Sequence, residues 1–196
     1  MAKRILILDG HPDPSPMHFC HALAHAYAGG AHDAGHEVRR INVGELDFPI
    51  LRTMDDWSRA PPPPAIAKAQ EDMLWAEHIV IIFPLWLGNL PALLKGFFEQ
   101  TFRPGFAFSR IEEGKAVGQS LLPGRSVRLI VTMGMPACLF RWYFCAHSIR
   151  SLKRNILGYC GLNPIHDTLI GSMALVDGNT RQRELEKTRA LGYQGD

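Results

Sequence analysis

The sequence predicts a single α/β domain over residues 1–196, a five-stranded parallel sheet with helices on both faces. Two observations carry that prediction. Short runs of Val, Ile and Leu recur along the chain and are apolar throughout, as strands covered on both faces are. Stretches with helical composition and length separate these runs, so strands alternate with helices. The length of 196 residues suits one domain with a sizeable core.

The elements follow in order. Ile5–Leu8 is a buried-type strand ended by Asp9 and Gly10. Phe19–Ala34 is an Ala-rich helix closed by Gly35, and His36–Val43 carries Val38, Ile41 and Val43 as a second strand. Gly44–Pro64 reads as irregular, with its four prolines Pro61–Pro64 marking a stiff exposed segment. Ala65–Ala76 is a helix, and His78–Phe83 is the clearest buried strand. Pro91 opens a third helix, at the first turn, where its missing N–H is least damaging. Arg103–Leu122, with Gly105, Gly114 and Gly118, reads as a long loop. Ser126–Thr132 is a fourth strand, His147–Gly158 a helix, Ile165–Ile170 a weaker fifth strand and Thr180–Leu191 a charged last helix.

Strands and helices in this sequence suit the flavodoxin-like order 2-1-3-4-5. In open sheets of that kind ligands bind beyond the carboxyl ends of the strands, at the topological switch point. The rule selects the loops after Leu8, Phe83 and Thr132, and each has unusual chemistry.

The first loop, Gly10–Phe19, leads into a helix whose N-terminal N–H groups and dipole suit a phosphate. His11, Ser15 and His18 can add donors. Taken alone the loop favours a plainer reading, in which Asp13 or Ser15 caps the helix. Neither a Rossmann fingerprint nor a P-loop is present. The second loop, Phe83–Pro91, places Pro84, Leu85, Trp86 and Leu87 at the exposed end of a sheet. That position serves a flat aromatic ligand better than a core, and Gly88 permits close approach of the backbone. The alternative is Trp86 packed on a neighbour. The third loop, Thr132–Pro136, offers the backbone donors of Thr132, Met133 and Gly134, or is simply a tight turn.

Composition excludes several classes. The 21 basic and 19 acidic residues leave a net charge of +2, too weak a field to argue for nucleic acid or a membrane surface. The four cysteines form no C-x-x-C pair and the nine histidines no metal spacing, so no metal site is expected. The N-terminal residues resemble no signal peptide and no apolar run reaches membrane-spanning length, so a cytoplasmic protein is expected.

Together these residues resemble the NAD(P)H:quinone oxidoreductase family, with its bacterial quinone reductase and potassium-efflux-accessory members. The likeness is carried by Gly10–Pro14, by the stretch Phe83–Phe102 followed by Gly105–Phe108, and by Thr132–Gly134. The resemblance implies a flavin, FAD or FMN, and NAD(P)H as co-substrate. It implies that His11, Ser15, His18 and Phe19 surround the flavin phosphate and ribityl chain. Gln70 stands where the family has a flavin-associated glutamine. Pro84, Leu85, Trp86 and Leu87 would pack on the isoalloxazine, with Thr132, Met133 and Gly134 at its pyrimidine end. Tyr143 and His147 are the catalytic candidates for offsetting charge on reduced flavin, with Phe140 an alternative for the tyrosine's place. The implied activity is two-electron hydride transfer to a quinone-like acceptor in a homodimer, whose interface Phe97, Phe98, Phe102, Phe106 and Phe108 would supply if core packing does not claim them. The rival readings are a flavin-binding accessory subunit of a potassium-efflux membrane protein and a one-electron carrier.

Overall fold

The computed structural model describes residues 2–110, 118–175 and 177–196. The strands are β1 (Arg4–Asp9), β2 (Glu37–Asn42), β3 (His78–Pro84), β4 (Ser126–Thr132) and β5 (Ile165–Ile170). They form one sheet in the order β2-β1-β3-β4-β5, every neighbouring pair parallel. This is the expected flavodoxin-like order. Central β3 is buried at every position, because strands and helices enclose it on all sides.

Alternation along the strands sorts side chains onto two cores. One face presents Leu6, Leu8, Ile79, Ile81, Leu129 and Val131 to the helices α3 (Pro64–Trp75), α4 (Ala92–Thr101) and α6 (His147–Ser151). The other presents Ile5, Ile7, Val80, Ile82 and Ile130 to α1 (Phe19–Asp33) and is flanked by α7 (Gly178–Gln194). α1 and α7 approach each other through two glycines. A Cβ at Gly30 would lie 1.9 Å from the Arg189 carbonyl oxygen, and one at Gly192 would lie 2.1 Å from that of Tyr27. Only hydrogen at those positions lets the backbones meet.

Several expectations needed correction. The Gly44–Pro64 stretch contains a short helix, α2 (Met54–Ser58), started by a reciprocal capping box between Thr53 and Asp56. A further helix, α5 (Ala137–Trp142), follows Pro136 in a stretch read only for its site residues. The expected His147–Gly158 helix begins as α6 and widens into a π-helical turn at Leu152–Leu157, where the Gly158 N–H donates to the Lys153 carbonyl. The second strand is shorter than expected, because Val43 turns into a short 3₁₀ segment. In the expected Arg103–Leu122 loop, residues 111–117 lie outside the described residues. The described parts carry bridges between Pro104 and Phe108 and between Phe108 and Ser120. Phe97, Phe98, Phe102 and Phe108 are buried in the chain's own core, so packing within the subunit accounts for them.

Candidate functional site

The first loop is folded by its own polar groups. Asp13 Oδ1 accepts from the Ser15 N–H at 2.9 Å, and Asp13 Oδ2 accepts from His18 Nε2 at 2.8 Å. These donors hold the exposed Asp13 carboxyl below its usual range. Neither Asp13 nor Ser15 caps the helix. The N-cap of α1 is His18, in extended conformation and without a side-chain cap bond, and no acidic residue stands in the first turn. The plain capping reading therefore fails, and no side chain of the loop takes up the N–H groups at the positive end of the helix dipole.

Beneath the loop lies a buried pair. His21 Nδ1 donates to Asp9 Oδ2 at 2.6 Å and Nε2 donates to the Asp13 carbonyl at 3.0 Å. Asp9 Oδ1 accepts from the His11 N–H at 3.3 Å. Burial pulls the His21 pKa down, but the Asp9 carboxylate and the Asp13 carbonyl outweigh it, and the net shift is upward. His11 is also buried and shifts the other way: burial, together with the neighbouring His18 and His21, lowers it against the Asp13 carbonyl. Its ring stacks on His18 with centroids 3.9 Å apart and meets Trp86 edge-on at 5.9 Å.

The second loop departs from what its apolar composition suggests. Trp86 and Asn89 exchange backbone hydrogen bonds around Leu87 and Gly88, both at positive φ. That is a tight two-residue turn of the kind requiring left-handed backbone at both central positions. Leu87 is fully exposed at its tip and Trp86 is 51% exposed. Leu85 is half-buried against the core, and its N–H donates to the Thr132 carbonyl at 2.7 Å, joining second and third loops.

One pocket of about 290 Å³ draws on all three loops. His11, His18, Phe19 and Cys20 enter it from the first loop and α1, Pro84 from the end of β3, and Thr132 from the end of β4. Met173 and Arg181 complete it from beyond β5 and from α7. Cys20 Sγ lies 3.4 Å from Thr132 Oγ1, tying α1 to β4, and burial pushes the thiol up to about 12, so it is inert.

The structure thus brings together His11, His18, Phe19, Pro84 and Thr132 of the residues expected from sequence. Ser15 contributes its backbone to the loop and is half-buried. Met133 turns its side chain into the core while its N–H donates to the Ile170 carbonyl. Gly134 is exposed, and a Cβ added there would meet nothing of this chain within 4 Å, so the space over that backbone is open. Tyr143 and His147 are exposed, on either side of Cys145 and Ala146, which both sit at positive φ. Gln70 is not brought to this site within the chain. Its amide donates to the Thr101 carbonyl at 2.9 Å, at the end of α4 remote from the loops.

Sequence reasoning missed Asp9, Cys20, His21, Met173 and Arg181. Asp9 and His21 had a readable signal, a carboxylate ending a strand and a histidine one turn into the next helix. Arg181 had none, because α7 reaches the pocket only by packing along α1. Among the described residues no His, Cys, Asp and Glu cluster could hold a metal ion, and no helix is long and apolar enough to cross a membrane.

Comparison with known proteins agrees with this geometry. An uncharacterized NAD(P)H oxidoreductase of Haemophilus influenzae is 27% identical over 185 residues, 92% of this chain and 90% of its own. The structure of an NAD(P)H:quinone oxidoreductase from Methanothermobacter marburgensis superposes with a TM-score of 0.83 at 20% identity, over 99% of this chain and 97% of its own. An FMN-dependent NADH-azoreductase from Bacillus anthracis, in complex with FMN, has a TM-score of 0.75 at 18% identity, over 98% of each chain. The family model of the flavodoxin-like fold named Flavodoxin_2 matches residues 3–191. With the sheet order, the switch-point pocket and this match in agreement, the chain belongs to the Flavodoxin_2 family.

Proposed function

We propose that this protein is a flavin-dependent two-electron reductase that takes hydride from NAD(P)H and passes it to a quinone or similar flat acceptor by a ping-pong mechanism. The observation that carries the reading is the convergence of three strand-end loops on one pocket at the switch point.

The residues present fit a phosphate-bearing flavin. The uncapped start of α1 supplies N–H donors, Arg181 and His18 supply side-chain donors, and no first-turn carboxylate opposes an anion. Of the two acids at this loop, Asp13 has both oxygens engaged by Ser15 and His18, and Asp9 has both engaged by His11 and His21. Trp86 offers an exposed apolar surface beside His11 for a ring system, and the open backbone at Gly134 lets one approach. When bound, a flavin supplies the hydride-accepting and hydride-donating chemistry. FMN is the flavin in the similar azoreductase structure, which favours FMN over FAD for this chain.

The protein's own part is binding and orientation. His11, His18, Phe19 and Arg181 hold the phosphate end, with Ser15 shaping the loop around it. Pro84 and Trp86 wall the ring, and the Thr132–Gly134 backbone addresses its polar edge. Tyr143 and His147 are proposed to offset negative charge there, and a homodimer would bring their exposed segment against a second subunit. Gln70 retains a flavin role in this reading only across such a dimer.

The test is the visible spectrum of the purified protein. A yellow protein whose colour bleaches on anaerobic addition of NAD(P)H, and returns with a quinone, is expected. A colourless protein that binds neither FMN nor FAD by calorimetry rejects the reading.

A further inference from the structure

A second pocket, of about 520 Å³, opens between α5, α6 with its π-helical turn, and edge strand β5. Arg141, Arg150, Lys153 and Arg154 line it against a single carboxylate, Asp167. Asp167 is partly buried and engages two of the four cations: Oδ1 accepts from Lys153 Nζ at 2.6 Å and Oδ2 from an Arg141 nitrogen at 3.2 Å. The carboxylate therefore fixes Lys153 and Arg141 in place without neutralising the rest. Arg150 and Arg154 are exposed, and among the described residues neither guanidinium has an ion-pair partner.

Solvation of a helix surface explains one or two such cations. It does not explain four cations lining one cavity, two of them unpaired arginines four residues apart, an arrangement that is self-repelling on a helix, beside two further cations held by the partly buried Asp167. The floor is apolar, from Ala146, Ile149 and Leu169. Convergent guanidinium forks over an apolar floor suit a phosphate carried by a flat organic group.

The pocket also adjoins the flavin-site architecture. α5, which carries Arg141, starts directly after the third loop. The Ser172 N–H donates to the Met135 carbonyl at 2.9 Å, so the chain leaving β5 is tied to that same loop.

We propose that this basic pocket binds the phosphate of a nucleotide, and that its occupant is the 2′-phosphate-bearing adenosine end of NADPH. The assignment of the occupant rests on the reductase reading above; the anion site itself does not. It selects NADPH over NADH, since NADH lacks the phosphate.

Calorimetry with 2′,5′-ADP, 5′-AMP and inorganic pyrophosphate tests the site on the protein as purified and on the double variant R150Q/R154Q. The expected result is that 2′,5′-ADP binds more tightly than 5′-AMP. In the double variant its affinity drops about tenfold for each arginine removed. In turnover, the KM for NADPH should rise by a similar factor while kcat and the KM for NADH hold. Equal 2′,5′-ADP affinity in the two proteins overturns the site. Lost 2′,5′-ADP binding with an unchanged NADPH KM overturns the NADPH assignment and leaves a site for a free nucleotide. Absence of flavin overturns the reductase reading alone, because calorimetry reads the pocket without turnover.

Discussion

His21 Nδ1 and Asp9 Oδ2 lie 2.6 Å apart, both side chains buried, directly beneath the loop that starts the candidate flavin site. The other ring nitrogen of His21 faces the Asp13 carbonyl, so both nitrogens meet acceptors. Only the imidazolium satisfies both, which agrees with its raised pKa. The pair locks the end of β1, the first helix and the loop into one unit.

The first prediction concerns pH. A histidine whose pKa is raised on folding stabilises the fold fully below its unfolded value, about 6.5, and that contribution is lost as pH rises through the folded value. Asp9→Ala removes one partner of a buried pair, which typically costs about 3 kcal/mol, so its urea midpoint should lie below that of the wild-type apoprotein at pH 6, and the gap should narrow toward alkaline pH. Taking the difference cancels the opposite contributions of His11, His25 and His78, whose pKa values folding lowers. Parallel pH dependence in the two proteins would show that His21 is not the titrating group.

Trp86 is half-exposed in a tight turn, so it belongs to the site more than to the core. Trp86→Ala should destabilise the apoprotein by no more than about 1 kcal/mol. Flavin affinity, read by fluorescence quenching, should fall about tenfold or more. A large loss of apoprotein stability with unchanged flavin affinity would assign the ring to packing.

Arg181 separates phosphate recognition from ring recognition. Arg181→Gln should weaken FMN binding by about tenfold, the loss of one charge-assisted hydrogen bond. Riboflavin, which lacks the phosphate, should bind wild type and variant alike. An equal loss for both ligands would place Arg181 away from the phosphate.

Turnover kinetics test the order of events and the part of His147. Donor and acceptor sharing one exposed flavin face should give parallel double-reciprocal plots, and intersecting lines would mean two simultaneous sites. A well-placed electrostatic donor is worth ~10²–10³ in rate. His147 is exposed, so His147→Ala should slow anaerobic flavin reduction by less than that, with flavin content unchanged. An unaltered rate would leave the third-loop backbone as the remaining charge stabiliser.

The sheet could be read straight from residue order. Ile5–Leu8, Ile79–Phe83 and Leu129–Val131 are apolar throughout, and that pattern is intelligible without knowing the partners, because a strand enclosed on both faces has no polar side to show. The strand order and the three candidate loops followed from it, since ligands collect where a doubly wound sheet reverses. Local order was less informative where geometry depends on exposure. The apolar run Pro84–Leu87 reads as one wall, yet folding turns Leu85 toward the core and Leu87 into solvent, because a turn at Leu87 and Gly88 reverses the chain. Gln70 reads as part of the site, but α3 and α4 run away from the loops, so its amide meets Thr101 instead. Tertiary packing alone brought Arg181 to the pocket, through the glycine-mediated approach of α1 and α7, and set Asp167 of β5 against the cations that Arg150 to Arg154 present from their helix. Those contacts join residues remote in the chain, and no local pattern of hydrophobicity or spacing encodes which distant side chains will share a pocket.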